Sequence, residues 1–356
     1  MEPLPADHIL LYCRSGFEKE TASEIMALGR ARDMSGYVKA ETDAGYIQFY
    51  PHEAARPLRV LSEHVRFDSL MFPRQWVFAR GEPLQLPEQN RLTPLMEAIA
   101  AMGTRFSGVW LETADTNEAK SLSVFNRKFS PLLEKAMRAE GWIVPNHPIR
   151  LHIFLNDSRT VHLGWTPAAN SSAWPMGIPR LRFPHSAPSR STLKLEEAFL
   201  FFVKNPERDL KPGMTAVDLG AAPGGWTWQL VRRHIRTIAI DNGRLQPELL
   251  ESGLVEHLRV DGFRYRPKLP VDWLVCDMAE QPIRIAERIT DWILAGWCTQ
   301  ALFNLKLPMK KRYEEVQRCR SVMTERLIRE GFDFELGFKQ LYHDREEITG
   351  YVRRVG

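Results

Sequence analysis

Thr215-Ala-Val-Asp-Leu-Gly-Ala-Ala-Pro-Gly-Gly-Trp-Thr-Trp-Gln229 is the stretch whose reading decides the fold. Thr215 to Leu219 is a short β-branched and apolar run closing on Gly220, which predicts a buried strand. Gly220, Gly224 and Gly225 then permit a tight turn and a close backbone approach. From Trp226 to Arg233 helical spacing returns, with Trp226, Leu230 and Arg233 along one side. Strand, glycine turn and helix in that order predict the nucleotide-binding corner of a doubly wound α/β sheet. Asp218 sits where folds that grip pyrophosphate usually carry an apolar residue.

Three ligands compete for that corner. A phosphate-gripping P-loop needs a Lys directly after its last glycine, and none follows Gly224 or Gly225. A dinucleotide site needs Gly-x-Gly-x-x-Gly, but Gly220 is followed by Ala221, Ala222 and Pro223, which put bulk where pyrophosphate would lie. S-adenosylmethionine carries no phosphate and wants an acid near its charged amino-acid end. Asp218-Leu-Gly-Ala-Ala-Pro-Gly-Gly-Trp226 closely resembles motif I of the FtsJ-like ribose 2′-O-methyltransferases.

Working outward, 356 residues imply two or three domains. The composition, 44% hydrophobic and 26% charged, is that of an ordinary globular protein. A net charge of +4 is compatible with a nucleic-acid partner without pointing to one. Cys13, Cys276, Cys298 and Cys319 are scattered and unpaired with His, so neither zinc nor a disulfide framework is expected. The chain begins without a basic, apolar leader and holds no long apolar run. The expectation is a cytoplasmic protein with no membrane contact and no metal.

Ahead of the motif, Ile9–Cys13, a helix over Phe17–Leu28 and strands Tyr37–Lys39 and Tyr46–Tyr50 predict the first half of a ferredoxin-like unit. Glu53–Val65 and Leu70–Ala79 supply its second helix and closing strand. A new pattern starts at Thr93: helix Leu95–Met102, strand Gly108–Glu112, helix Glu118–Glu140, strands Arg150–Leu155 and Val161–Trp165. That order, preceded by Leu11-Tyr-Cys-Arg-Ser-Gly-Phe-Glu-Lys-Glu20, resembles a THUMP module, an RNA-binding fold. Lys120, Arg127, Lys128, Lys135 and Arg138 along its long helix suit either RNA or a solvated face. Pro167, Pro175, Pro179, Pro184 and Pro188 mark a semi-rigid linker.

The domain expectation is a ferredoxin-like region over 1–80, a THUMP domain over 81–166, the proline-rich linker over 167–188, and a methyltransferase domain over 189–356. In the last, strands are expected at Thr215–Leu219, Thr237–Ile240, Glu256–Val260, Trp273–Cys276, Ala301–Leu305, Asp333–Lys339 and Ile348–Val352. Helices Pro282–Ala295 and Met309–Arg329 fall between them. The fold class is therefore α/β, a Rossmann-like class I methyltransferase domain with a seven-stranded sheet, behind an α+β ferredoxin-like and THUMP region.

In such a sheet the ligand lies across the carboxyl ends of the strands. Asp241 follows the second strand, about 20 residues beyond Gly220, the offset at which an acid meets ribose hydroxyls. Asp261 and Asp277 follow the third and fourth strands. A ribose 2′-hydroxyl is a weak acid, so its methylation needs a positioned base. FtsJ-like enzymes use a Lys-Asp-Lys-Glu tetrad, which Lys194, Asp277, Lys306 and a Glu in Asp344-Arg-Glu-Glu-Ile-Thr349 match in order. Strand alternation admits only one of Glu346 and Glu347, and Glu347 is taken. Lys306 is the candidate base; a neighbouring Lys194 ammonium and desolvation are expected to lower its pKa. Base methylation is disfavoured, because Asp277-Met-Ala-Glu280 replaces the Asn/Asp-Pro-Pro-Tyr/Phe signature and no Pro precedes Cys276. Cys298 and Cys319 read as helical.

Over nearly its full length the chain resembles the bacterial large-subunit ribosomal RNA methyltransferase M family. The carrying segments are Ala187-Pro-Ser-Arg-Ser-Thr-Leu-Lys-Leu-Glu-Glu197, motif I, Asp261-Gly-Phe263, Phe303-Asn-Leu-Lys-Leu-Pro-Met-Lys-Lys-Arg-Tyr-Glu-Glu315 and Leu341-Tyr-His-Asp-Arg-Glu-Glu347. The resemblance implies a cytidine ribose in 23S ribosomal RNA, free or in a precursor of the large subunit, as substrate. It also implies cofactor contacts from Ser189, Ala222, Pro223, Gly224, Gly225, Asp241, Asp261 and Asp277, with Asp218 and Gly220 in the same motif. Two other classes stay open: a catalytically inactive RNA-binding protein, which a missing tetrad member would favour, and a nicotinamide-dependent oxidoreductase.

Overall fold

The computed structural model describes residues 4–53 and 55–355, which divide into two compact units, 1–179 and 180–356. Ala54, within the expected helix Glu53–Val65, lies outside the described residues, as do Met1–Pro3 and Gly356.

The first unit is built from β1 (His8–Tyr12), α1 (Glu18–Arg30), β2 (Gly36–Ala40), β3 (Tyr46–Pro51), α2 (Ala55–His64), β4 (Gln75–Ala79), β5 (Leu84–Gln85), α3 (Leu92–Ala100), β6 (Val109–Thr113), α4 (Ser123–Ala139), β7 (Ile149–Leu155) and β8 (Thr160–Pro167). Its strands form one sheet in the order β2-β3-β1-β4-β8-β7-β6, with β5 paired to β8. The β1–α1–β2–β3–α2–β4 half has the strand order of a ferredoxin-like fold. Strand alternation sends Ile9 and Leu11, Trp76 and Phe78, and Leu151 and Ile153 to one face, where Ile25, Leu61, Leu95 and Leu133 of the four helices cover them. The two halves join through Phe78 opposite Trp165 and Ala79 opposite Gly164. A Cβ at Gly164 would lie 2.4 Å from Val77 Cγ1, so glycine is required at that seam.

Several expected elements are shorter than predicted. Leu70–Ala79 is strand only from Gln75, after a 3-10 turn at Phe67–Ser69. The helix over Glu118–Glu140 splits into a 3-10 turn, Ala119–Leu122, and α4. The front of the proline-rich linker is anchored rather than free. Asn170 accepts from the Phe67 N–H at 2.8 Å, donates to the Val65 and Ser62 carbonyls at 2.7 and 3.2 Å, and receives the Trp76 indole N–H on its own carbonyl at 2.8 Å.

The second unit holds α5 (Thr192–Phe202), α6 (Pro206–Asp209), β9 (Thr215–Leu219), α7 (Gly225–Val231), β10 (Arg236–Ile240), α8 (Pro247–Glu251), β11 (Val255–Leu258), β12 (Val271–Cys276), α9 (Pro282–Leu294), β13 (Cys298–Lys306), α10 (Arg312–Arg329), β14 (Phe334–Lys339) and β15 (Glu347–Arg354). The sheet runs β11-β10-β9-β12-β13-β15-β14, parallel except for β15, which is antiparallel to both its neighbours. This is the seven-stranded Rossmann-like sheet expected from the sequence. On one face Leu195 and Phe199 of α5 and Trp226 and Leu230 of α7 pack over Ala216, Trp273, Val275 and Tyr351. On the other, α9 packs on β13 and α10 on α9. No helix lies between β11 and β12. The third strand stops at Leu258 rather than Val260, and Cys298 opens β13 instead of being helical.

Replacing Asn170 by Ala would strand buried backbone groups of Val65 and Phe67. The expected outcome in urea unfolding is a loss of about 2 kcal/mol in the first unit; an unchanged midpoint would mean that water replaces the side chain.

Candidate active site

The glycine turn of motif I joins β9 to α7. Gly220 has φ +81° and Gly224 φ +115°, and a Cβ at Gly224 would lie 2.2 Å from Leu249 Cδ1. A Cβ at Gly225 would meet Ser191 Oγ at 2.2 Å and Ser189 Oγ at 2.5 Å. Gly224 is therefore required by its dihedral, and a side chain at Gly225 would have to displace both serine hydroxyls beside the Thr192 N–H at 3.1 Å. The Ala222–Pro223 peptide bond is cis.

Acids crowd the carboxyl edge of the sheet. Asp241, directly after β10, accepts from the Ala222 N–H at 3.0 Å and the Gly243 N–H at 2.7 Å, fastening the glycine turn to the next strand. Asp261 lies exposed beyond β11 and accepts from the Phe263 N–H at 2.8 Å. Arg288 of α9 reaches the Gly262 and Tyr265 carbonyls and so steadies that loop. Asp218 is placed differently. It is wholly buried within β9, accepts from Thr227 Oγ1 at 2.7 Å, and its Oδ1 has no partner among the described residues. Burial pushes its pKa up to about 7 against the Thr227 hydrogen bond, with the Asp277 and Asp241 charges adding to the rise.

Lys194, Asp277, Lys306 and Glu347 come together at the adjoining strand ends. Lys306 Nζ is 2.6 Å from Asp277 Oδ1 and 2.8 Å from Glu347 Oε2. Lys194 Nζ is 2.7 and 2.8 Å from the two Glu347 oxygens and 3.4 Å from Asp277 Oδ2. Glu346 points away and pairs with Arg312. The cluster is only partly exposed, with Lys306 the most accessible side chain at 30%. Glu347 is held below the usual carboxylate range: burial would raise it, but the two lysines more than offset that. Burial likewise pulls the Lys306 pKa down, yet the charges and hydrogen bonds of Asp277 and Glu347 together outweigh burial, and the net shift is upward. The expectation of a lowered pKa is thus overturned; contact with two carboxylates dominates over desolvation.

Reasoning on sequence missed Asn304. Its Nδ2 donates to Glu347 Oε2 at 2.8 Å and lies 3.4 Å from Asp277 Oδ1. The signal was available, because Asn304 is two residues before Lys306 and so shares its side of the strand. The helix expected from Met309 begins at Arg312; Met309–Lys311 form a loop next to Lys306, with Met309 94% exposed and Lys311 at φ +57°. Burial pushes the Cys276 and Cys319 thiols up to about 12 and Cys298 higher still, which leaves no ready thiolate nucleophile among them. Among the described residues there is no cluster suited to a metal ion and no helix long and apolar enough to cross a membrane.

The glycine turn, the half-buried Asp241 and the exposed Asp261 fit a ligand that carries hydroxyl and amino groups, as S-adenosylmethionine does. Residues 187–324 match the FtsJ-like methyltransferase model, so the second unit is of the FtsJ-like methyltransferase class. Residues 6–77 match the RlmM ferredoxin-like domain, and 90–166 the N-terminal model of ribosomal RNA large subunit methyltransferase M. Two proteins with that last name are similar along nearly the whole chain. One, from Methylococcus capsulatus, is 56% identical over 98% of both chains. The other, from Cellvibrio japonicus, is 50% identical over 98% of this chain and 99% of its own. The chain belongs to the ribosomal RNA large subunit methyltransferase M family.

The buried Asp218 sets a pH dependence. Its folded pKa lies above the unfolded value of about 3.9, so it stabilises the fold at low pH and that contribution is lost as pH rises to about 7. Asp218→Asn should therefore gain stability relative to the parent between pH 4 and 7, reaching about 4 kcal/mol at the upper end, from about 3 pH units at about 1.4 kcal/mol each. Parallel stability curves in chemical denaturation would show that Asp218 does not titrate in that window.

Proposed function

We propose that this protein transfers a methyl group from S-adenosylmethionine to the 2′-hydroxyl of a cytidine in 23S ribosomal RNA, with Lys306 as general base. The observation that carries this reading is the meeting of Lys306 with Asp277, Glu347 and Lys194 beside the glycine turn. Membership of the family supports ribosomal RNA as the substrate class, and the matching names supply the large subunit. When bound, S-adenosylmethionine supplies an electrophilic methyl on a positively charged sulfur.

Each residue then has a separable task. Asp241 and Asp261 offer carboxylate oxygens to ribose hydroxyls and to an adenine amino group, and Ser189 and Ala222–Gly225 border the same place. Asp218, enclosed beneath the turn, supports it through Thr227. Asp277 faces both the cofactor position and the lysines. Lys306, the most exposed of the four, takes the proton from the ribose hydroxyl once it has lost its own to solvent; a cationic neighbour favours that loss. Lys194 neutralises Glu347 and Asp277, so that neither competes as the proton acceptor. Lys310 and Lys311, in the loop just past Lys306, suit the phosphates beside the target nucleotide. Residues 81–166 of the first unit, in the same reading, are an RNA-holding THUMP domain that engages the ribosomal RNA or a large-subunit precursor, behind the ferredoxin-like region over 1–80.

The experiment is transfer of labelled methyl to ribosomal RNA that lacks its own modifications. Label in a nucleoside whose adjacent phosphodiester resists alkali is expected, falling at least about 100-fold in Lys306→Ala with cofactor binding retained. Because Lys306 is needed neutral and its pKa is raised, the parent rate should climb with pH across the whole neutral range. Label in a base, or full activity in the variant, would overturn the reading.

A further inference from the structure

The loop that leaves the tetrad carries an apolar side chain where a polar one would be expected. Met309 lies three residues past Lys306 and is 94% exposed, the most exposed large hydrophobic among the described residues. Single apolar side chains are common on protein surfaces, so exposure alone means little. Placement sets this one apart. Glu346 fastens both ends of its loop: the Glu346 carbonyl accepts from the Leu307 N–H at 2.8 Å, and its carboxylate pairs with Arg312. Arg312 also donates to the Pro308 carbonyl at 3.2 Å, which closes the loop on itself. Glu346 adjoins Glu347, so the loop is tied to the strand end that carries a tetrad member. Met309 therefore projects from a held base rather than from a slack segment. Behind it the tetrad is recessed, with Lys194, Asp277 and Glu347 side chains only 12 to 14% exposed. Ahead of it stand Lys310 and Lys311, both exposed.

That arrangement of a recessed base, a projecting apolar side chain and two cations suits a nucleotide that has left its stack. In an A-form strand the 2′-hydroxyl lies against the ribose of the 3′ neighbour, and the stack holds it away from a recessed amine. Enzymes that work on one nucleotide of a stacked strand turn it out, and apolar side chains, methionine among them, are used to part base steps. An unbranched thioether is slim and polarisable enough to lie against a base face. We propose that Met309 is a wedge that enters the RNA base stack beside the target nucleotide and fills the space its base vacates, so that the ribose turns in to Lys306. Lys310 and Lys311 meet the flanking phosphates and hold the wedge in the strand. The inference rests on the methyl-transfer reading and adds to it how the ribose reaches the base.

The test uses a fragment of 23S ribosomal RNA containing the cytidine that the parent methylates, with pyrrolocytidine, which is quenched by stacking, in its place. Saturating parent should brighten the probe at least about threefold, and Met309→Ala should leave it near the level of free RNA. On the unsubstituted fragment Met309→Ala should lower kcat about tenfold with the KM for S-adenosylmethionine unchanged, and Met309→Leu should restore both rate and brightening. Met309→Lys, which keeps the length and extends the basic run, should fail as Ala does. Parent-like activity in the Lys variant would mean that charge alone holds the loop to RNA. Full brightening in the Ala variant would mean that the side chain serves another contact, such as a protein. Either result overturns the wedge. A parent that methylates without brightening the probe overturns the wedge alone, whereas a parent that binds ribosomal RNA and transfers no methyl overturns the functional reading and the wedge with it.

Discussion

The register between β13 and β15 is the constraint on which the site depends. It sets Lys306 opposite Glu347, Asn304 opposite Thr349 and Phe303 opposite Gly350. A slip of one residue would carry Glu347 to the other face of the sheet and bring a neighbour in its place. The lock is steric: a Cβ at Gly350 would lie 2.3 Å from Phe303 Cζ, and Phe303 is itself fully buried. Only glycine lets the Phe303 ring lie across β15, so an apolar contact on one face fixes the ion pairs on the other. The loop into β15 repeats the theme, since Leu307 N–H donates to the Glu346 carbonyl at 2.8 Å and continues the pairing one step past Lys306.

Within that register the charges are matched two against two. Each lysine touches both carboxylates. In a partly enclosed site this holds Lys306 charged in the resting state, contrary to the neutral amine expected from its lysine neighbour. The expectation counted Lys194 as a repelling charge and omitted the carboxylates at contact distance, which are the larger influence once summed. A charged resting lysine is compatible with base chemistry, because the same contacts that raise its pKa also fix where its nitrogen stands.

What was legible in the chain was whatever local pattern dictates. Strand, glycine turn and helix at Thr215–Gln229 need only period and sterics, and each acid beyond a strand end follows from topology. Tetrad order came from the resemblance. Cross-strand partners were not legible, because Asn304 and Thr349 acquire meaning only through register. Nor was the continuous sheet of the first unit, whose seam rests on two residue pairs and Gly164. Met309–Lys311 were read as helix since nothing forbids it; the left-handed Lys311 interrupts there, and Arg312 bonding back to the Pro308 carbonyl and across to Glu346 fastens the helix start.

Helix α5 ties these features together. Lys194 projects from it into the tetrad, and one turn on, Glu197 is buried and accepts from the Tyr342 and His343 N–H groups, each at 2.9 Å, and from the His343 ring at 2.7 Å. The loop thus gripped is the one that delivers Asp344 and Glu347. A shift of α5 would therefore move Lys194 and the segment carrying Glu347 together, preserving the distance between those two. Buried carboxyl groups are costly when their polar atoms go unpaired, and those of Glu197 and Asp344 are met by backbone N–H groups of that same loop. Their burial is offset by hydrogen bonds that only one loop conformation can make, and that conformation is the one that brings Glu347 to Lys306. Polar groups here supply the geometric specificity that apolar packing, tolerant of small displacements, would leave loose.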